Sequence, residues 1–163
     1  MTLLKAVHSL KMALGTFLGA GYITKAPGTL GSLLTLPFIY VAFTCYHLPG
    51  LVVLTLAASL LSLWTAPAAI EELGDDPGEF IMDECAGQAL VFVGVVAFDI
   101  TLNFMYLFLG FLLFRVFDII KPLGIKRVEK FQGKYGILLD DLLAGIYASA
   151  GLIALLSLFS LYL

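Results

Sequence analysis

Seven charged side chains stand in this sequence where their types and spacing allow phosphate chemistry. Asp83 and Glu84 are adjacent, Asp140 and Asp141 are adjacent, and Asp118 lies three residues from both Arg115 and Lys121. Grouped carboxylate oxygens hold a hard cation, while an arginine fork and a lysine point charge bind the oxygens of a phosphate. A fourth cluster, Pro27-Gly28-Thr29-Leu30-Gly31-Ser32, carries no charge. Its glycines let backbone N–H groups approach an anion at the positive end of a helix, and Thr29 and Ser32 add hydroxyl donors. If the fold brings the four clusters together, Asp83, Glu84, Asp118, Asp140 and Asp141 are the metal-ligating and catalytic carboxylates. Gly28, Thr29, Gly31, Ser32, Arg115 and Lys121 then bind the phosphate.

Each cluster also has a plainer reading when taken alone. Residues 27–32 form an ordinary helix start and turn, and they lack the lysine of a nucleotide-binding P-loop, so no nucleotide or nucleic-acid partner is expected. Asp83 and Glu84 suit the first turn of a helix, where the dipole favours negative charge. Arg115, Asp118 and Lys121 make a local ion-pair ladder that Pro122 ends. Asp140 and Asp141 are expected to open the last helix. Gly87 and Gly145 each follow an aspartate by one turn and leave room for a close neighbouring helix. Only oxygen donors are on offer, which selects Mg²⁺ over Zn²⁺, and their sparseness selects it over Ca²⁺. His8 and His47 belong to no cluster. Cys45 and Cys85 have no paired spacing, so neither a disulfide framework nor a zinc site is expected.

The elements that must position these residues are apolar. The chain has 163 residues, 61% of them hydrophobic, and a net charge of −3; its mean hydropathy is +1.03. That length predicts one domain, 1–163, and that composition excludes an ordinary soluble protein. No charged side chain occurs between Lys25 and Glu71, or from Leu142 to Leu163. At roughly 20 residues per crossing, the first run spans a bilayer twice. His47-Leu48-Pro49-Gly50 divides it into spans from about Leu30 to Tyr46 and from Leu51 to Ile70. The runs Ala86–Phe98 and Ile100–Phe114 reach spanning length only by recruiting Asp83-Glu84 and Arg115 to Asp118. The last span runs from about Asp140 to Leu163. The expected architecture is thus an all-α polytopic membrane bundle of about five spans. A short glycine-broken segment, Met12–Tyr22, packs on it as an interfacial or re-entrant piece.

Lysine and arginine orient the bundle. Arg115, Lys121, Lys126, Arg127, Lys130 and Lys134 follow Phe114, and Lys5, Lys11 and Lys25 precede the first span, while the turns near Pro49 and Asp99 carry none. A cytoplasmic N-terminus places every basic loop inside, and all four polar clusters with them.

In order and spacing, P-G-T-L-G-S at 27–32, D-E-C-A-G at 83–87, F-R-V-F-D-I-I-K-P at 114–122 and G-I-L-L-D-D-L-L-A-G at 136–145 closely resemble the motifs of the phosphatidylglycerophosphatase A family of bacterial membrane phosphatases. The resemblance covers nearly the whole chain. It implies hydrolysis of phosphatidylglycerophosphate to phosphatidylglycerol and inorganic phosphate, with Mg²⁺, at the cytoplasmic face of the bacterial inner membrane. The paired histidines of type 2 phosphatidic acid phosphatases are missing. So are the D-x-D-x-T/V nucleophile of haloacid dehalogenases and the spaced aspartates of CDP-alcohol phosphotransferases.

The expected chemistry has Mg²⁺ polarising the terminal phosphate, with Arg115, Lys121 and the 28–32 amides neutralising its equatorial oxygens. Water is the favoured nucleophile, with Glu84 as base; an aspartyl-phosphate through Asp83 or Asp140 is the alternative. Membrane lipids surround the spans and keep the substrate tails. A Mg²⁺-dependent phosphotransferase with a CDP-linked donor is the rival enzyme. An ion-coupled transporter is the rival outside catalysis, although it wants carboxylates at mid-membrane rather than at helix ends on one side. Oligomeric state is left open.

Overall fold

The computed structural model describes residues 3–122, 124–128, 131 and 133–162, which form helices and no strand. Lys130 and Leu163, both used in the expectations above, lie outside the described residues. The elements are α1 (Leu3–Gly15), a 3₁₀ turn (Ala20–Tyr22), α2 (Pro27–Leu73), α3 (Met82–Ala97), α4 (Phe104–Ile120), α5 (Ile125–Val128) and α6 (Lys134–Tyr162). Two of them, α2 and α6, are long and apolar enough to cross a membrane.

The 47 residues of α2 do not run straight. His47 leaves helical geometry, with φ 48° and ψ −135°. The chain turns back there: Gly50 packs against the carbonyl of Ala42 and the Cβ of Tyr46. Pro37, Phe38, Val41 and Ala42 of the first limb face Pro49, Gly50, Val53 and Leu54 of the second across one groove. The expected four-residue turn is therefore a reversal at one residue. Pro49 falls in the opening turn of the second limb, where its missing N–H costs nothing, and Gly50 has no side chain to hold the limbs apart.

Three other boundaries move. Asn103 caps α4 by accepting the Tyr106 N–H at 2.9 Å, so 100–103 stay outside that helix. α1 takes in Lys5, Lys11 and Met12, and the break follows at Phe17, Leu18 and Gly19, all with positive φ. The largest shift is in α6, which starts at Lys134 behind Gly133 (φ 72°). Asp140 and Asp141 consequently lie nearly two turns inside α6 instead of opening it. Residues 134–139 contain no proline, and Gly136 falls in the first turn where its cost is small beside the Ile137-Leu138-Leu139 run, so the charged pair is not needed to start the helix.

α3 is the central element, with α2 packed along one side and α6 along the other; α4 then packs on α6 and meets α2 only sparsely. Phe92, Phe114, Ile39, Leu51 and Leu152 fill the interior. α1 is tied to the second limb of α2 by His8 Nε2 to Glu72 Oε2 at 2.7 Å and by Lys11 over the Trp64 ring. The His47 reversal and the Asp99 turn come together at one end, where Phe43, His47, Leu48, Pro49, Asp99 and Thr101 line one cavity.

Candidate active site

α3 and α6 cross at glycine. A Cβ on Gly145 would stand 2.5 Å from the Gly87 carbonyl oxygen, and one on Gly87 would stand 2.6 Å from that of Asp141. One turn above this crossing on α3 is Asp83, and one turn above it on α6 is Asp141. Carboxylate oxygens of Asp83, Glu84 and Asp141 consequently all lie within 4.8 Å of one another. On the neighbouring face of α6, Asp140 Oδ2 accepts from Lys121 Nζ at 2.7 Å. Lys121 reaches it from the end of α4, in left-handed backbone conformation (φ 48°) ahead of Pro122.

α4 supplies the other half. Arg115 Nη2 pairs with Asp118 Oδ2 at 3.0 Å, one turn along the same helix, and Asp118 borders Asp141. Arg115 Nη1 donates to Ser32 Oγ at 3.2 Å, and Ser32 Oγ donates in turn to the Gly28 carbonyl at 2.8 Å. The start of α2 thereby closes over the cluster. Gly28 is required there by space: a Cβ would collide with Glu84 Oε1 and stand 3.1 Å from Arg115 Nη2.

All four sequence clusters thus converge at one end of the bundle, though not every residue within them faces the carboxylates. Gly31 abuts Ile81, and its carbonyl accepts from Cys85 Sγ, so its smallness serves helix packing. Thr29 is half-buried and makes no side-chain hydrogen bond among the described residues. The proton of Ser32 is spent on Gly28, so its hydroxyl positions Arg115 rather than offering a free donor. His47 is at the far end and His8 on α1.

The donor set fits a divalent cation. Five carboxylates meet two cations, and Asp83 Oδ1, Glu84 Oε2, Asp140 Oδ1 and Asp141 Oδ1 are buried without a hydrogen-bond partner. Buried carboxylate oxygens without donors are expensive, and like charges this close repel strongly unless a cation joins them. All the donors are oxygen, the preference of a hard ion such as Mg²⁺. The nearby thiol of Cys85 is turned to Gly31.

Sequence reasoning passed over Gln88. It is fully buried on α3, one turn from Glu84, and neither of its amide atoms has a partner among the described residues. A lone amide four residues from a carboxylate in an apolar run was the available signal.

The family model for phosphatidylglycerophosphatase A matches residues 13–156. A Bacteroides thetaiotaomicron protein, named as a candidate phosphatidylinositol-3-phosphatase, is 35% identical over 151 residues, covering 89% of this chain and 92% of its own. Phosphatidylglycerophosphatase A of Haemophilus influenzae is 31% identical over 150 residues, covering 91% and 87%. The Escherichia coli protein of the same name is 30% identical over 138 residues, covering 83% and 76%. No solved structure matches the chain. With the family match running from α1 through most of α6 and containing all four converging clusters, the chain belongs to the phosphatidylglycerophosphatase A family of lipid phosphatases.

Proposed function

We propose that this protein hydrolyses phosphatidylglycerophosphate to phosphatidylglycerol and inorganic phosphate with Mg²⁺, at the cytoplasmic face of a bacterial inner membrane. The observation that carries this is the carboxylate cluster of Asp83, Glu84 and Asp141, each with one buried oxygen lacking a hydrogen-bond partner among the described residues, standing beside the Arg115 and Lys121 cations. About five crossings follow if the two limbs of α2, with α3, α4 and α6, each span the bilayer. Exposed Leu56, Leu60, Phe104, Phe108, Leu158 and Phe159 supply the lipid-facing surface. The two turns without lysine or arginine share one end, which supports placing the basic loops and the site on the cytoplasmic side.

Asp83, Glu84 and Asp141 would hold the metal, with Asp140 and Asp118 beside it. When bound, Mg²⁺ neutralises phosphate charge and makes water a better nucleophile. Arg115 offers its fork to two phosphate oxygens, held at the correct angle by Ser32 and Asp118. Lys121, anchored on Asp140, adds the second positive charge. Glu84 takes the proton of the attacking water. As the oxygen–phosphorus bond forms, the bond to the glycerol oxygen breaks; that oxygen takes a proton from solvent to leave as the alcohol of phosphatidylglycerol, and Glu84 returns its proton to solvent. The tails remain in the leaflet, so the lipid is already concentrated at the site.

The test is phosphate release from phosphatidylglycerophosphate in detergent micelles, with Mg²⁺ or EDTA, for wild type and Asp141→Asn. Mg²⁺-dependent release, lost in the variant, is expected. No release by folded wild type overturns the assignment. Faster release from phosphatidylinositol 3-phosphate, the chemistry in the name of the Bacteroides relative, would move the substrate while keeping the phosphatase. Release of CMP from CDP-diacylglycerol would replace it with a transferase.

A further inference from the structure

α2 and α4 meet at both a polar and an aromatic contact. At the site, Arg115 meets Ser32 at 3.2 Å. Further down, Tyr40 and Phe104 stack, with ring centroids 5.1 Å apart. Ser32, Leu36 and Tyr40 follow one another at four-residue spacing on α2, and Arg115, Phe111, Phe108 and Phe104 form the corresponding row on α4. Between the far parts of these rows lies an apolar groove of about 370 Å³, lined by Leu36, Pro37, Tyr40 and Val41 of α2 and Phe104, Leu107 and Phe108 of α4. Its outer rim is exposed: Phe104 and Phe108 are 74% and 56% accessible.

We infer that this groove is the subsite for one acyl chain of the lipid phosphomonoester, entered sideways from the bilayer between α2 and α4. The inference rests on the proposed function for its headgroup. Three features select this groove and this occupant. It opens one turn beyond Ser32 on α2 and about two turns beyond Arg115 on α4, so a chain leaving a phosphate held by Arg115 meets it on the way into the bilayer. Its lining runs about 7.5 Å along α2, from Leu36 to Val41 at 1.5 Å per residue, with the Tyr40–Phe104 stack at its far end. Its lining carries no charge, which suits a hydrocarbon chain. The other large apolar grooves lack that alignment. The one between the α2 limbs lies toward the His47 reversal. The one between α3 and α6 uses Ile146 and Ala150, which point about 140–180° around α6 from Asp141 at 100° per residue.

Two measurements test this. The first is the ratio of kcat/KM for dipalmitoyl over dihexanoyl phosphatidylglycerophosphate in mixed micelles. Leu36→Trp fills the groove and should lower that ratio at least tenfold, through KM for the long-chain lipid. Val53→Trp, in the groove between the α2 limbs, should leave the ratio within twofold of wild type. An unchanged ratio in Leu36→Trp, or a fall in Val53→Trp instead, overturns the assignment. The second needs no turnover. Phosphatidylglycerophosphate with a mid-chain diazirine is photolysed in EDTA, and the labelled peptides are mapped. Label concentrated on 33–41 and 104–112 supports the groove, and label spread evenly over the outer helices overturns it. Concentrated label in a protein that releases no phosphate would keep the lipid subsite and remove the hydrolase.

Discussion

Gly145 packs on Gly87 so tightly that the α3–α6 crossing leaves no space for a methyl group between them. That contact sets the height at which Asp83 and Asp141 face each other, since each lies one turn from its glycine. Gly145→Val must therefore push α6 off α3. We expect a loss of about 1–3 kcal/mol in stability from overpacking and a drop in phosphate release of at least a hundredfold. Thermal unfolding and turnover of the same detergent-purified variant check this.

The Asp83, Glu84 and Asp141 cluster should bind metal without substrate. Added Mg²⁺ is expected to raise the unfolding temperature, by the equivalent of about 2.7 kcal/mol when the free ion is a hundredfold above its Kd. Asp141→Asn should abolish that rise. In EDTA the same variant should be more stable than wild type, because one of three mutually repelling carboxylates is gone. A site tuned for ligand at the expense of the empty fold behaves this way.

Lys121 and Asp140 form a pair shielded from solvent, 19% and 8% accessible at their side chains. Lys121→Ala leaves Asp140 buried opposite nothing and should cost about 3 kcal/mol. Lys121→Met with Asp140→Leu should recover most of that stability, while neither variant recovers activity. A double-mutant cycle in chemical denaturation measures the coupling.

Arg115 is held at two nitrogens, by Asp118 and Ser32, which aims its planar fork. Arg115→Lys keeps the charge but loses the fork, so kcat/KM should fall about tenfold to hundredfold. Ser32→Ala should give a smaller loss, expressed mostly in KM, because the guanidinium remains but is less well oriented. Steady-state kinetics on one lipid separates the two.

His47 has positive φ and a ψ that non-glycine residues avoid. His47→Gly should stabilise the protein by up to about 1 kcal/mol through relief of that strain. Its reversal is at the end away from the carboxylates, so phosphate release should be unchanged. Melting temperature and turnover together check both halves.

Much of the site was legible in one dimension because charge is rare in this chain. Asp83-Glu84, Arg115, Asp118, Lys121 and Asp140-Asp141 stand out against apolar runs that can only be helices. Gly87 and Gly145 announced a close helix contact by lying one turn from an aspartate. The start of α6 was not legible, since Gly133 and Gly136 both read as turn residues and the conspicuous Asp140-Asp141 pair looked like a beginning. Gln88 escaped because a single amide carries no periodic signal.

The sequence by itself determined the helical class, the membership of the four clusters and the chemistry their side chains permit, because those follow from hydropathy, run length and functional groups. Only the tertiary structure decided which groups meet. Asp140 turns to Lys121 while Asp141 turns to Asp83, because adjacent residues on a helix point about 100° apart. Ser32 lends its oxygen to Arg115 because Gly28 lets α2 settle onto Glu84. The groove one turn beyond Ser32 exists because Leu36 to Val41 of α2 and Phe104 to Phe108 of α4 leave a gap between them. Spacing within one helix cannot encode the gap between two.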